Sequence, residues 1–268
     1  MKKLFLAFIL ILMLGFAQAQ DEYMAVGNLH FESTVEKELW ESGSDNPYLL
    51  FKAVQAEKSP SDEKWNALLG QLDQKFEKKG VHINLLRQIF EKSHQHLFKT
   101  YEQHSTFNDM LSTGMYDCVS GSAALGLLLT RYGFDYDIVE TDYHVFVMVY
   151  LEDKNIILES TLPIGGLMTA PSEVLAYLES YKPKKDAKLE SLNTRIGSQK
   201  IDISDNAIFR KVNLKELAGL QYYNDAIAQF NQQQFEKAST QLDKALRLYP
   251  SGRIEGLKMI AQQQAPIK

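Results

Sequence analysis

Cys118 is the only cysteine in the 268-residue chain, and it stands where a thiol can be made to react. Gly114-Met115-Tyr116-Asp117 leads into it as a turn, and Ser120-Gly121-Ser122-Ala123-Ala124 follows as the small-residue start of a helix. Downstream, His144 lies on one strand-like run and Glu159 on the next. Thiol, imidazole and carboxylate in that order suit a cysteine nucleophile, its base and the acid that orients the base. A thiol is a poor nucleophile until it loses its proton, and its ordinary pKa lies near ~8.5. A helix N-terminus favours the thiolate through unpaired N–H groups and partial positive charge. A neighbouring imidazolium favours it further and can return the proton to a leaving group. The N–H of Cys118 at the helix start also offers one oxyanion donor.

Each of these residues has a plain structural reading as well. Free cysteine is among the most buried residue types. A histidine bordering an apolar strand is commonly a packing residue, and a glutamate on a strand usually faces water. Glu159 stands out because it follows Ile156-Ile157-Leu158 and precedes Ser160-Thr161, where a charge is out of keeping. A hairpin turning at Asp153-Lys154 puts Glu159 opposite Met148. That is the sheet face of His144, but about 13 Å along it at the rise of a strand. A bulge or longer loop has to shift the register for the carboxylate to reach the imidazole. Asp142, two residues before His144, is the alternative acid. The other histidines form no competing set: His94 and His96 point to different sides of a helix. His30, His82 and His104 fall in no ligand spacing, and no His-Glu-x-x-His signature occurs. The sequence therefore calls for neither a metal nor an organic cofactor.

Three blocks carry these groups. Residues 1–19 read as a secretory signal peptide, with Lys2 and Lys3, an apolar core from Leu4 to Phe16, and Ala17-Gln18-Ala19 as the cleavage pattern. That core is shorter than the roughly 20 residues of a membrane span, so no span is expected after signal removal. The mature chain is expected to be exported, to a periplasm or the exterior, and a lone cysteine there forms no internal disulfide. Losing Lys2 and Lys3 takes the formal charge of -5 further negative, which argues against a nucleic-acid partner.

Residues 20–205 form the second block. Pro47 to Ala53 reads as a short helix. Ser61 caps a longer one through Trp65, Leu68, Leu69, Leu72 and Phe76, ended by Gly80. Leu85, Leu86, Ile89, Phe90, Leu97 and Phe98 give another apolar helical face. Asp117 caps the thiol helix, which is expected to run to Tyr132 and stop at Gly133. Tyr143 to Leu151 reads as a strand covered on both faces, with Ile156 to Thr161 returning beside it. Ser172 to Tyr181 reads as a helix, and Lys182 to Asp205 as a surface connection. In the third block, residues 206–268, Tyr222-Tyr223-Asn224, Phe230, Phe235, Ala238, Ala245 and Pro250 resemble a tetratricopeptide repeat. This is a helix-turn-helix unit of about 34 residues. One such unit cannot bury its own apolar face, so it is expected to dock on the second block, with Gly252 to Gln264 as a closing helix.

Taken together, Tyr116-Asp117-Cys118 opening a small-residue helix, Tyr143-His144-Val145-Phe146 on a strand and Leu158-Glu159-Ser160-Thr161 on the next resemble the transglutaminase-like superfamily. With the C-terminal repeat, the resemblance is to bacterial exported members. It covers residues 107–166 and the repeat. It implies an α+β fold, namely a papain-like core with the thiol helix packed on an antiparallel sheet, plus a C-terminal α-helical hairpin. It also implies a triad of Cys118, His144 and Glu159 acting on an amide or peptide bond of a peptide or protein substrate, by hydrolysis or acyl transfer. The family's acid is most often aspartate. Val119 stands where tissue-type transglutaminases have tryptophan, which turns the expectation from protein cross-linking toward a cysteine peptidase or amidase. The alternative is a catalytically inactive transglutaminase-like binding or assembly module whose C-terminal helices meet a partner protein.

Overall fold

Apolar runs with helical spacing build the N-terminal third: α1 (Thr34–Ser42), α2 (Pro47–Ala53), α3 (Glu63–Lys79) and α4 (Ile83–His96). Ser33 caps α1 and His82 caps α4 by accepting main-chain N–H groups, while Gly80 ends α3 at positive φ. β1 (Thr100–Tyr101) then pairs in parallel with β2 (Met115–Tyr116) around α5 (Phe107–Ser112). The thiol helix α6 (Cys118–Tyr132) follows directly. These coordinates are a computed structural model that describes residues 29–181 and 208–265. The expected signal peptide and the expected 182–205 connection lie outside the described residues.

β3 (Asp135–Thr141), β4 (Val145–Leu151), β5 (Lys154–Leu158), β6 (Leu167–Met168) and β7 (Phe209–Val212) form one antiparallel sheet in the order β6-β5-β4-β3-β7. β4 is central, and its period of two sends Val145, Val147 and Val149 to one face and Phe146 and Met148 to the other. The first face joins α6 and the N-terminal helices in the main core. The second packs with Val139 and Ile157 against Val174, Tyr177 and Tyr181 of α7 (Pro171–Ser180) and its end. The chain is thus α+β, with the thiol helix on one side of an antiparallel sheet as expected.

α8 (Leu214–Asn231), α9 (Phe235–Leu248) and α10 (Gly252–Gln264) close the fold. α8 and α9 pack along each other, and α8 lies against α6 and α2. The expected docking is tight: Gln221 of α8 accepts from the N–H of Phe107 and donates to the carbonyl of Phe51. Lys244 of α9, fully buried, pairs with Glu36 of α1. The C-terminal block is more than helices, because β7 precedes them and extends the sheet beside β3. Neither β3 nor β7 is evident in the sequence. Asp135, Asp137 and Glu140 interrupt the apolar run of β3, and β7 is a short Phe-Arg-Lys-Val segment that gains strand character only by pairing.

Candidate active site

The thiol helix starts where its own sequence dictates. Asp117 accepts the N–H of Ser120 at 2.8 Å, and Ser120 accepts the N–H of Asp117 at 2.9 Å, a reciprocal capping box. Cys118 therefore occupies the first helical position. The small residues behind it allow a close approach to the sheet: a side chain on Gly121 would run into the Ser160 side chain, with its Cβ 2.6 Å from the Ser160 Oγ. Tyr116 reinforces that junction by donating to the carbonyl of Ser160 at 3.1 Å.

His144 ends the turn between β3 and β4, where the N–H and hydroxyl of Thr141 both donate to the His144 carbonyl. Its neighbour Val145 directs a backbone N–H at the sulfur of Cys118. Cys118 and His144 line one cleft of about 680 Å³.

Glu159 reaches the imidazole through a register that differs from the simple hairpin expected. The turn is centred on Glu152-Asp153, both at positive φ, with Leu151 paired to Lys154 and Val147 to Leu158. A two-residue loop of this kind twists in the same sense as the strands it joins. Continuing that pairing by one residue sets Glu159 level with Phe146 rather than Met148, diagonal to His144 and within side-chain reach. No bulge is required.

The carboxylate is 1% exposed, and each of its oxygens has two donors. One oxygen takes His144 Nε2 at 2.6 Å and the hydroxyl of Tyr177. The other takes the N–H and hydroxyl of Thr161 at 2.8 and 2.6 Å. Gly166 holds the loop after β5 closed: its carbonyl accepts the N–H of Glu159 at 2.8 Å, and a Cβ there would lie 2.4 Å from the Glu159 carbonyl oxygen. Burial alone would raise the pKa of Glu159, but the donors His144, Thr161 and Tyr177 more than offset it and leave it below the usual glutamate range. An ionised Glu159 only accepts, so Nε2 carries the proton in this contact, and in the neutral imidazole that tautomer places the lone pair on Nδ1. Tyr181 stacks on the His144 ring at 5.9 Å with an interplanar angle of 10°.

The thiol departs from the expectation that a helix start lowers its pKa. Burial first, then the negative charge of Asp117, push Cys118 up to about 12, against the opposing N–H groups of Val145 and of Cys118 itself. The residue is only 9% exposed. Asp117 is itself raised to about 6 by burial, although Ser120 and Asn224 donate to it.

Several residues around the site were not singled out in the sequence. Tyr177 and Tyr181 lie four apart on and just beyond α7, a spacing that sets both phenols on one helical face. Asn224 of α8 donates to Asp117 at 2.9 Å, a pairing between distant segments that leaves no local signal. His104 lines the cleft as a second imidazole, its pKa lowered by burial. Asp142, the alternative acid, also lines the cleft, but it accepts the N–H of Ile208 instead of bracing His144. His94 packs between Phe90 and Phe98, where burial lowers its pKa to about 4. Among the described residues no group of three or more His, Cys, Asp or Glu side chains is placed to hold a metal ion, and no helix is long and apolar enough to cross a membrane.

No family model, curated protein or solved structure matches this chain.

Proposed function

We propose that the chain is an exported thiol-dependent hydrolase or acyl transferase acting on an amide or peptide bond, with Cys118 as nucleophile, His144 as base and acid, and Glu159 as the orienting carboxylate. The observation that carries this reading is the 2.6 Å contact between His144 Nε2 and Glu159 at the wall of the cleft that holds Cys118. In the first step the thiol proton passes to His144 Nδ1 as sulfur bonds to the carbonyl carbon. The imidazolium gives that proton to the leaving nitrogen as the C–N bond breaks. Water, or an amine in the transfer reaction, then attacks the thioester while His144 takes its proton. The thiol is regenerated when the imidazolium returns the proton to sulfur.

A thiol held near pKa 12 makes proton removal concerted with attack, so the imidazole acts as a general base rather than the partner of a standing thiolate. The N–H of Cys118 is the first oxyanion donor. The papain-like core, the membership among transglutaminase-like proteins and the tetratricopeptide character of α8 and α9 belong to the same proposal. Cys118 on a capped, small-residue helix against an antiparallel sheet supports the first two. Ala238 and Ala245, buried in the C-terminal helices, support the third.

The covered thiol is also the observation that favours the second reading, a non-catalytic binding or assembly module. Intact-mass analysis after exposure to an activated ester separates the two. The enzyme reading expects an acyl adduct on Cys118, slowed about 100-fold or more in His144→Ala through loss of the base. Adduct formation at the same slow rate in both proteins sinks it and favours the binding module.

A further inference from the structure

The C-terminal block makes part of the cleft wall, and one group there is only half used. Arg253, in the first turn of α10, lines the cleft with Leu220, Tyr223 and Ile227. One terminal nitrogen of its guanidinium donates to Glu140, and the group lies over the Tyr223 ring at 5.2 Å. Its Nε is buried and has no hydrogen-bond partner among the described residues.

Glu140 cannot balance the charge around it. It takes Arg253 on one oxygen, and Arg210 at 2.9 Å with the Tyr249 hydroxyl on the other. Two guanidiniums share one carboxylate. Of the two, Arg253 lines the cleft beside Glu140, whereas Arg210 stands outside it and is partly exposed. The acids on that side are engaged elsewhere: Asp142 with Ile208, and Asp117 with Ser120 and Asn224. A buried donor left without an acceptor is costly unless a ligand supplies one.

We infer that Arg253 is a carboxylate-binding group of this cleft, so that the substrate is an amide or peptide carrying a carboxylate near the bond presented to Cys118. The substrate class rests on the thiol-enzyme reading; the anion site itself does not. The carboxylate is either an acidic side chain or a free chain terminus.

Because Cys118 is the only cysteine, alkylation of the full chain reads the site directly by intact mass. Iodoacetate and iodoacetamide carry the same reacting carbon and differ in charge. Their rate ratio on Cys118 is expected to exceed that on glutathione and to fall about tenfold in Arg253→Gln, the loss of one charge-assisted hydrogen bond. It is expected to be largely restored in Arg253→Lys and unmoved in Arg210→Gln, which disturbs Glu140 equally from outside the cleft. A ratio unchanged in Arg253→Gln, or lowered as much in Arg210→Gln, overturns the inference.

Protection of Cys118 from iodoacetamide by N-acetyl dipeptides names the source. Protection by one with a free terminal carboxylate assigns the terminus, and protection by an amidated dipeptide bearing glutamate assigns the side chain. Equal protection by a neutral amidated dipeptide overturns the site. His144→Ala keeps the two proposals apart. Rates for both reagents indifferent to that change, with the ratio still moved by Arg253→Gln, remove the thiol enzyme and leave the carboxylate site standing.

Discussion

Glu140 and Glu159 flank the central strand β4 at the same end of the sheet, and each is 1% exposed, yet they are held in different ways. Glu140 is surrounded by Arg210, Arg253 and the hydroxyl of Tyr249. Its charge is cancelled by permanent cations, so it acts as a clasp between the sheet and the C-terminal helices. Glu159 is surrounded by donors without fixed charge, namely the Tyr177 hydroxyl, the Thr161 N–H and hydroxyl, and a titratable imidazole. Its negative charge is therefore available to stabilise an imidazolium, as the proposed mechanism requires. Burial and hydrogen bonding alone do not separate a structural carboxylate from a reactive one; the charge type of the partners does.

The comparison can be broken at either end. The largest effect is expected from Glu159→Gln, which keeps the shape but loses the charge that supports an imidazolium. Acylation of Cys118 should slow by about 10³-fold, roughly 4 kcal/mol of barrier, measured in single turnover with an activated ester. Glu140→Gln should do the reverse. Taking the charge from a buried carboxylate that serves two partly exposed guanidiniums should lower unfolding free energy by about 2–3 kcal/mol in denaturant titration, with acylation per folded molecule by an uncharged activated ester nearly unchanged. A Glu140→Gln protein that folds normally but fails to acylate would erase the distinction.

The pH dependence sharpens it further. Glu159 has a lowered folded pKa, so its contribution to stability is present above the unfolded glutamate value and is lost as pH falls through the folded one. Asp117 has the opposite sign. Its folded pKa of about 6 lies above the unfolded value, so stability declines as pH rises from the unfolded carboxyl range toward 6. Asp117→Asn should remove that decline, on the order of 3 kcal/mol across the window, in melts taken at successive pH values. Losing a negative charge beside the sulfur should also lower the thiol pKa and speed its alkylation at fixed pH. The smallest effect belongs to Tyr177→Phe, which takes one donor from Glu159. About 1–2 kcal/mol of stability is expected to go, with acylation reduced less than that of Glu159→Gln.

Local chemistry was readable without coordinates. Asp117 as cap, Gly133 as stop, α2 and α10 at their full extents, the two faces of β4 and the three reactive side-chain types all follow from interactions spanning a few residues. What the chain alone left open depends on longer-range placement. The hairpin turned at Glu152-Asp153 rather than one position later, because the backbone adopts positive φ there and the pairs Val147–Leu158 and Val149–Ile156 bury together on one face. That single step brings Glu159 to His144. The tyrosines over the imidazole, the covering of the thiol and the Arg253 wall come from segments far apart in sequence. Packing joins them, and the burial it imposes, not the helix terminus, sets the protonation of Cys118.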